Sequence, residues 1–78
     1  MLKYKKISET CDTVTYEYFP EGKSPSGIIT YDKRTRHITI DRLASNDKYK
    51  HYAFHMIARL KKFNNAGEYA DDGLVAWY

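Results

Sequence analysis

The stretch SNDKYKHYAFHMIARLKKFNNAG, residues 45–67, decides the fold because it carries the one clear helical period of the chain. At about 100° per residue, its apolar side chains fall within an arc of about 140°. These side chains belong to Tyr49, Tyr52, Ala53, Met56, Ile57, Leu60 and Phe63. Either Ser45 or Asn46 is a suitable N-cap, and Gly67 suits a left-handed C-cap. The pattern predicts one amphipathic helix over about residues 46–64.

Four short stretches upstream of the helix alternate β-branched or aromatic residues with polar ones. This period of two predicts strands that each bury one face. The strands cover about residues 2–7, 13–19, 28–32 and 37–42. The prolines and glycines of residues 20–27 indicate a loop, and the connection at residues 33–36 is short enough to require a hairpin. Three to four such strands predict a small antiparallel β-meander.

The two patterns together predict an α+β fold, in which the helix packs on one face of the meander. Residues 1–78 suffice for a single domain with a small core. After a polar turn, the chain closes on a short apolar segment, residues 74–78. An apolar end of this kind is seldom left in water, so we expect it to pack beside the helix or to add an edge strand.

The composition limits both the core and the cellular compartment. Eight tyrosines and few large aliphatic residues mean that the core must use tyrosine rings, whose hydroxyl groups need partners. The lone Cys11 excludes an internal disulfide and fits a reducing compartment. No apolar run approaches the roughly 20 residues of a membrane span, and the first residues lack the apolar centre of a signal peptide. A cytoplasmic location is the expectation.

The charge is distributed unevenly along the chain. Residues 1–66 hold thirteen basic and seven acidic side chains, a formal charge of +6, whereas the last twelve residues carry three carboxylates and no base. The body of the domain is therefore more basic than the total of +3 indicates, which favours acidic partners. A hairpin, a helix and the closing GEYADDGLVAWY (residues 67–78) together resemble small bacterial proteins, and the closing stretch contains no motif with a known role.

Groups suited to catalysis or metal binding are few. His51 and His55 are four residues apart, the spacing at which two imidazoles on a helix can share a metal. No motif supplies a third ligand, so both histidines are expected on a solvated basic face. A paired nucleophile and base, and a phosphate-binding glycine motif, are also lacking. We predict a non-catalytic protein without a metal or a cofactor.

Basic residues suggest nucleic acid as an alternative partner. One set forms a stripe on the predicted outer face of the helix and consists of Lys48, His51, His55, Arg59 and Lys62. A second set lies at the predicted hairpin tip and consists of Lys33, Arg34 and Arg36. Against this alternative, the open face of the sheet would carry the carboxylates of Glu17 and Asp41, which repel phosphate, and would lack an aromatic pair for base stacking.

The favoured hypothesis is a protein-interaction or structural module. Phe54 lies outside the apolar arc of the helix, between Lys50 and Lys61, and is predicted to be an exposed anchor. An open edge of the sheet would offer a second contact. We therefore expect a protein partner or a second copy of the chain in preference to nucleic acid, and no membrane.

Overall fold

A computed structural model describes residues 1–76 of the chain. Within them, five antiparallel strands form one sheet in the order β4-β3-β2-β1-β5. The elements are, in chain order, β1 (Leu2–Glu9), β2 (Thr13–Pro20), β3 (Gly27–Asp32), β4 (Ile38–Arg42), α1 (His51–Ala66) and β5 (Asp72–Val75). The single helix packs on one face of the sheet, which confirms the predicted α+β meander. No described helix is long and apolar enough to cross a membrane.

The fifth strand comes from the C-terminal segment. β5 pairs with β1, with Val75 opposite Leu2 and Asp72 opposite Lys5, so the segment adds an edge strand, as one of the two expectations stated. Val75 is buried, whereas Leu74 on the other face is half-exposed. The remainder of the predicted segment, residues 77–78, lies outside the described residues.

Alternation along the strands builds the core. The side chains that face α1 from β1, β2 and β3 are almost completely buried; they are Leu2, Tyr4, Val14, Tyr16, Tyr18, Ile29 and Tyr31. α1 closes the core with Ala53, Met56 and Leu60. Two core tyrosines use their hydroxyl groups: that of Tyr16 donates to the carbonyl oxygen of Ala70 (2.5 Å), and that of Tyr18 accepts the backbone N–H of Ala44 (3.1 Å). Burial raises the pKa of both hydroxyls.

Two of these tyrosine rings lie over glycines on neighbouring strands. Tyr18 is opposite Gly27 in the β2–β3 pair, and Tyr4 is opposite Gly73 in the β1–β5 pair. A Cβ atom at either glycine would overlap the facing tyrosine. The rings therefore occupy the space that a side chain would need, and the absence of a Cβ lets each ring lie flat against the adjacent strand.

The helix begins later than its sequence pattern predicts. α1 starts at His51 rather than near residue 46, because Lys50 adopts a left-handed conformation (φ 60°) that interrupts the helical backbone. Asp47 supplies the cap in place of the two predicted residues, since its buried carboxylate accepts two backbone N–H groups of the first turn at 3.2 and 3.0 Å. Tyr49 consequently lies outside the helix and is 78% exposed, so its predicted place in the apolar arc was wrong.

Two other boundaries differ by a few residues from prediction. β1 continues to Glu9 instead of ending near residue 7, because a bulge between Lys6 and Ser8 absorbs Ile7, the residue that breaks the alternation. Strand pairing with β2 then resumes beyond it. At its other end α1 runs to Ala66, two residues further than predicted, and stops at Gly67, whose left-handed conformation (φ 76°) forms the expected C-cap.

The position of α1 leaves the two edges of the sheet in different environments. The hydroxyl of Tyr52, near the start of α1, donates to Glu21 just after β2, whereas Asn64 near its end lies beside Tyr31 at the far end of β3. α1 therefore runs from one end of the strands to the other. It packs mainly over β1, β2, β3 and the edge strand β5. The opposite edge strand, β4, is the strand that it covers least.

Candidate functional site

The incomplete cover over β4 defines the first feature of the candidate site. Ile38 and Ile40, on the helix side of β4, pack against the core but are only half-buried. β4 pairs with β3 alone, and in residues 1–76 no backbone hydrogen bond reaches its outer edge. Edge strands expose rows of unpaired N–H and C=O groups, which can pair with another chain. The protein thus has an open backbone edge beside a partly exposed apolar surface.

The flank of α1 that lies nearest β4 carries Phe54, Ile57 and Lys61, which we call the Phe54 flank. These residues are three and four positions apart and so form one stripe along the helix. Phe54 is 57% exposed, as the helical period predicts, while Ile57 is half-buried against the core. Lys61 lines a recess together with residues of the β3–β4 hairpin, which shows that this stripe faces the β4 side of the sheet.

That recess, which we call the Arg36 recess, lies between the end of α1 and the β3–β4 hairpin. It has a volume of about 210 Å³ and is lined by Tyr31, Arg36, Lys61, Asn64 and Asn65. In the described part of the chain, neither Arg36 nor Lys61 forms an ion pair with a carboxylate. The recess therefore holds two positive charges that no carboxylate of residues 1–76 neutralises.

The polar groups of the Arg36 recess are mostly hydrogen-bond donors. The hydroxyl of Tyr69 donates to Oδ1 of Asn64 (2.9 Å), which leaves the amide nitrogen of Asn64 as a donor. Tyr31 is only 1% exposed, and its hydroxyl has no hydrogen-bond partner among residues 1–76. Since no fully buried polar side-chain atom in that range lacks a partner, the small exposed part of Tyr31 includes this hydroxyl. Such a set of donors suits an anion.

The predicted protein-contact and nucleic-acid residues are regrouped by the structure. Lys61 was expected beside Phe54 and Arg36 at the hairpin tip, and the structure brings the two cations together in one recess. Arg36 adopts a left-handed backbone conformation (φ 62°) at the tip of the hairpin. Lys50 precedes the first residue of α1, makes no side-chain capping hydrogen bond and is exposed. Sequence reasoning missed the Arg36 recess because its two cations are 25 residues apart, and no local pattern connects them.

The hairpin tip offers fewer accessible cations than its sequence indicates. Lys33 forms an ion pair with Glu9 (2.6 Å), donates to the carbonyl oxygen of Thr10 (2.9 Å) and lies 4.8 Å from the ring centre of Tyr69. Its ammonium group therefore joins the hairpin to β1 instead of facing a ligand. Arg34 remains largely exposed at the tip.

The basic stripe of α1 lies on a different side of the helix from the Phe54 flank. His55, Arg59 and Lys62 line a small cavity of about 160 Å³ together with Val75 and Ala76, at the end of β5. Lys48 and His51 lie near the helix start, beside a second cavity of about 220 Å³. The stripe and the hairpin tip, both proposed from sequence as nucleic-acid contacts, thus lie towards opposite edges of the sheet.

The face of the sheet away from α1 carries its own groove, which sequence reasoning also missed. The groove has a volume of about 420 Å³ and lies over β1, β2 and β5; Lys3, Lys5, Phe19, Asp72 and Leu74 are among its lining residues. Elsewhere this face is polar: the hydroxyl of Thr30 donates to Asp41 (2.5 Å), and that of Ser26 donates to Glu17 (2.5 Å). The alternation of β1, which places Lys3 and Lys5 on the face away from the core, was the available signal; Lys3 is opposite Phe19 and Lys5 is opposite Glu17.

Few of the described residues are arranged for chemistry. Among residues 1–76 there is no group of three or more His, Cys, Asp or Glu side chains that could hold a metal ion. Cys11 is an exposed free thiol in the turn between β1 and β2.

No known family model, curated protein or solved structure matches the chain. The surface features therefore carry the functional argument.

Proposed function

We propose that this domain is a non-catalytic module that binds another protein through the Phe54 flank and the adjacent β4. The observation that carries this proposal is the exposure of Phe54 on the flank of α1 that faces the β3–β4 hairpin. Covering a phenylalanine side chain gains about 1.5–3 kcal/mol, and in the isolated domain more than half of Phe54 stays in water. Aromatic side chains are enriched in protein interfaces, and buried aromatic anchors often provide much of the binding energy.

The test compares Phe54→Glu with a matched variant at another exposed aromatic residue, Tyr49→Glu. Tyr49 is more exposed than Phe54 and lies before α1, away from the Phe54 flank. Each tagged protein is first checked for an unchanged melting temperature and is then used to capture partners from a lysate. We expect Phe54→Glu to lose the protein that the parent and Tyr49→Glu both retain. Equal capture by all three proteins would contradict the proposal.

A second candidate function, nucleic-acid binding, is favoured by the basic stripe alone. In the described part of the chain, Lys48, Arg59 and Lys62 form no ion pair with a carboxylate. A DNA duplex or single-stranded RNA would then cause amide NMR shifts along this stripe that weaken steeply with salt, as phosphate contacts do. Replacing Lys62 with Glu would weaken such binding more than replacing Lys61, which lies on the other flank.

The exposed Cys11 supports a reducing, cytoplasmic setting for either function.

A further inference from the structure

We propose that the partner docks as an extended acidic segment that pairs with the outer edge of β4 and places a carboxylate in the Arg36 recess. This inference rests on the proposed function and names the chemistry of its partner. Three features converge on one side of the molecule: the open edge of β4, the Phe54 flank and the donor-rich recess. Each feature constrains a different property of the segment.

The backbone edge sets the conformation of the segment. A strand added beside β4 would satisfy the row of N–H and C=O groups that β3 leaves unpaired on the outer side. β5 is the other edge of the sheet but is a poorer acceptor, because it has four residues and begins at Asp72, next to Asp71. The two carboxylates would repel an acidic segment, and α1 already packs against β5, whereas β4 presents two half-buried isoleucines.

Side-chain alternation sets the pattern of the segment. Residues of an added strand that point to the helix side would lie beside Ile38 and Ile40, both half-buried, on the same side of the molecule as the Phe54 flank. Apolar side chains at these alternate positions would cover the exposed apolar area. The residues between them would point to the polar face of the sheet, where Thr39 is exposed. The expected segment therefore alternates apolar and polar residues.

The Arg36 recess sets the charge of the segment. Arg36, Lys61 and the amide nitrogen of Asn64 converge on a space of about 210 Å³, and the buried Tyr31 adds a hydroxyl that has no hydrogen-bond partner within residues 1–76. A carboxylate fits this set, because guanidinium and ammonium groups bind it through charge-assisted hydrogen bonds. An aspartate or glutamate near the end of the added strand that lies at the hairpin tip would supply it.

The same charges exclude a second copy of this chain as the occupant. Pairing β4 with β4 about a two-fold axis would bring Lys50, Arg36 and Lys61 of both copies towards one interface. Like charges across an interface repel each other, so self-association through this edge is disfavoured. An acidic segment from a different protein is complementary in charge, in apolar pattern and in backbone geometry.

The test is an amide NMR titration of the whole domain, at up to about 1 mM, with a capped peptide of alternating valine and threonine that carries glutamate in place of valine at both ends. In this peptide the valines and the glutamates share one face, so a glutamate can reach the Arg36 recess while the valines cover the isoleucines of β4. We expect shifts in β4, in the Phe54 flank and in the side-chain amides of Asn64 and Asn65. Lys61→Glu should weaken binding about tenfold, whereas Lys62→Glu, a matched charge reversal on the other side of α1, should change it less than twofold. A peptide with glutamine in place of glutamate should bind about tenfold more weakly.

Three outcomes of the peptide titration would overturn the inference. They are the absence of shifts at the highest peptide concentration, equal binding by the glutamine peptide, and shifts that leave β4 unchanged. Inorganic phosphate at matched ionic strength is the remaining arm: shifts as large as those with peptide and confined to the recess would mark a simple anion site and would also overturn it. The proposed function is judged separately, by capture with Phe54→Glu, so the two can fail independently.

Discussion

The two edges of the sheet differ in how fully the fold covers them. At the β5 edge, α1 packs against the strand, Val75 is buried, and Lys6 forms an ion pair with Asp71 just before β5 (3.0 Å). At the β4 edge, the isoleucines are half-buried, Phe54 is exposed, and the cations of the Arg36 recess have no carboxylate among residues 1–76. One edge thus contributes to stability, and the other keeps unsatisfied groups that a partner could use.

The largest expected effect is at the β5 edge. A chain that ends at Gly73 loses the buried Val75, worth about 1.5–3 kcal/mol, together with backbone hydrogen bonds to β1 that contribute about 0.5–1.5 kcal/mol each. We therefore expect its free energy of unfolding to fall by about 3 kcal/mol or more. Urea denaturation followed by circular dichroism measures the change. An unchanged midpoint would show that β5 is dispensable.

A smaller effect is expected from a single methyl group at the same edge. Gly73→Ala would place a Cβ against the hydroxyl end of Tyr4, which is almost fully buried, and overpacking of this kind costs about 1–3 kcal/mol. Thr39→Ala on β4 is the matched control, because Thr39 is exposed and surface changes stay within about 0.5 kcal/mol. Thermal unfolding of both variants compares the two edges. Similar melting temperatures for the two variants would show that the β5 edge is no more tightly packed than the β4 edge.

Two adjacent lysines of α1 face different edges of the sheet, so charge reversal at each one tests which edge binds the partner. Lys61 lines the Arg36 recess, and Lys62 lines the cavity beside the end of β5. With the captured partner, Lys61→Glu should weaken binding about tenfold, or about 1.4 kcal/mol, and Lys62→Glu by less than twofold. Calorimetric titration of both variants gives the two affinities. A larger loss with Lys62→Glu would transfer the site to the basic stripe and favour nucleic acid.

The smallest expected effect concerns acid. Hydrogen bonds with Lys33 and Lys6 hold the pKa of the Glu9 carboxyl below its usual value. A carboxyl whose folded pKa is depressed stabilises the fold above its unfolded pKa of about 4.3, and that contribution is lost as pH falls through the folded pKa. Glu9→Gln should therefore lower the melting temperature slightly at pH 7 and leave it unchanged near pH 2. A difference that grew in acid would contradict this sign.

Periodicity within one element allowed the sequence to predict most of the fold. The apolar period of residues 45–67 predicted α1 and the exposure of Phe54, and the alternation in β2 predicted which residues are buried. The start of α1 was misplaced because the left-handed Lys50 and the remote cap from Asp47 leave no distinct signal in the pattern. At the start of α1, the backbone conformation of Lys50 and the hydrogen bonds of Asp47 determine where the helix begins, and the apolar period does not.

The candidate site was harder to predict because it depends on where separate elements meet. The exposure of Phe54 followed from its own helix, whereas the Arg36 recess requires the hairpin tip and the last turns of α1 to lie together. Lys33 shows the reverse case, in which a cation that sequence reasoning assigned to a ligand is held by Glu9 and Tyr69. Contacts of this kind join residues more than 20 positions apart, and no local pattern reports them.

The central claim is that the β4 edge, and not the β5 edge, is the binding surface. Its most direct test is amide NMR mapping of the labelled domain with the partner captured by the parent protein. We expect the largest shifts in β4 and at Phe54, Ile57 and Lys61, with β5 unchanged. Shifts confined to His55, Arg59, Lys62 and β5 would contradict the claim and would place the binding surface on the other side of the helix.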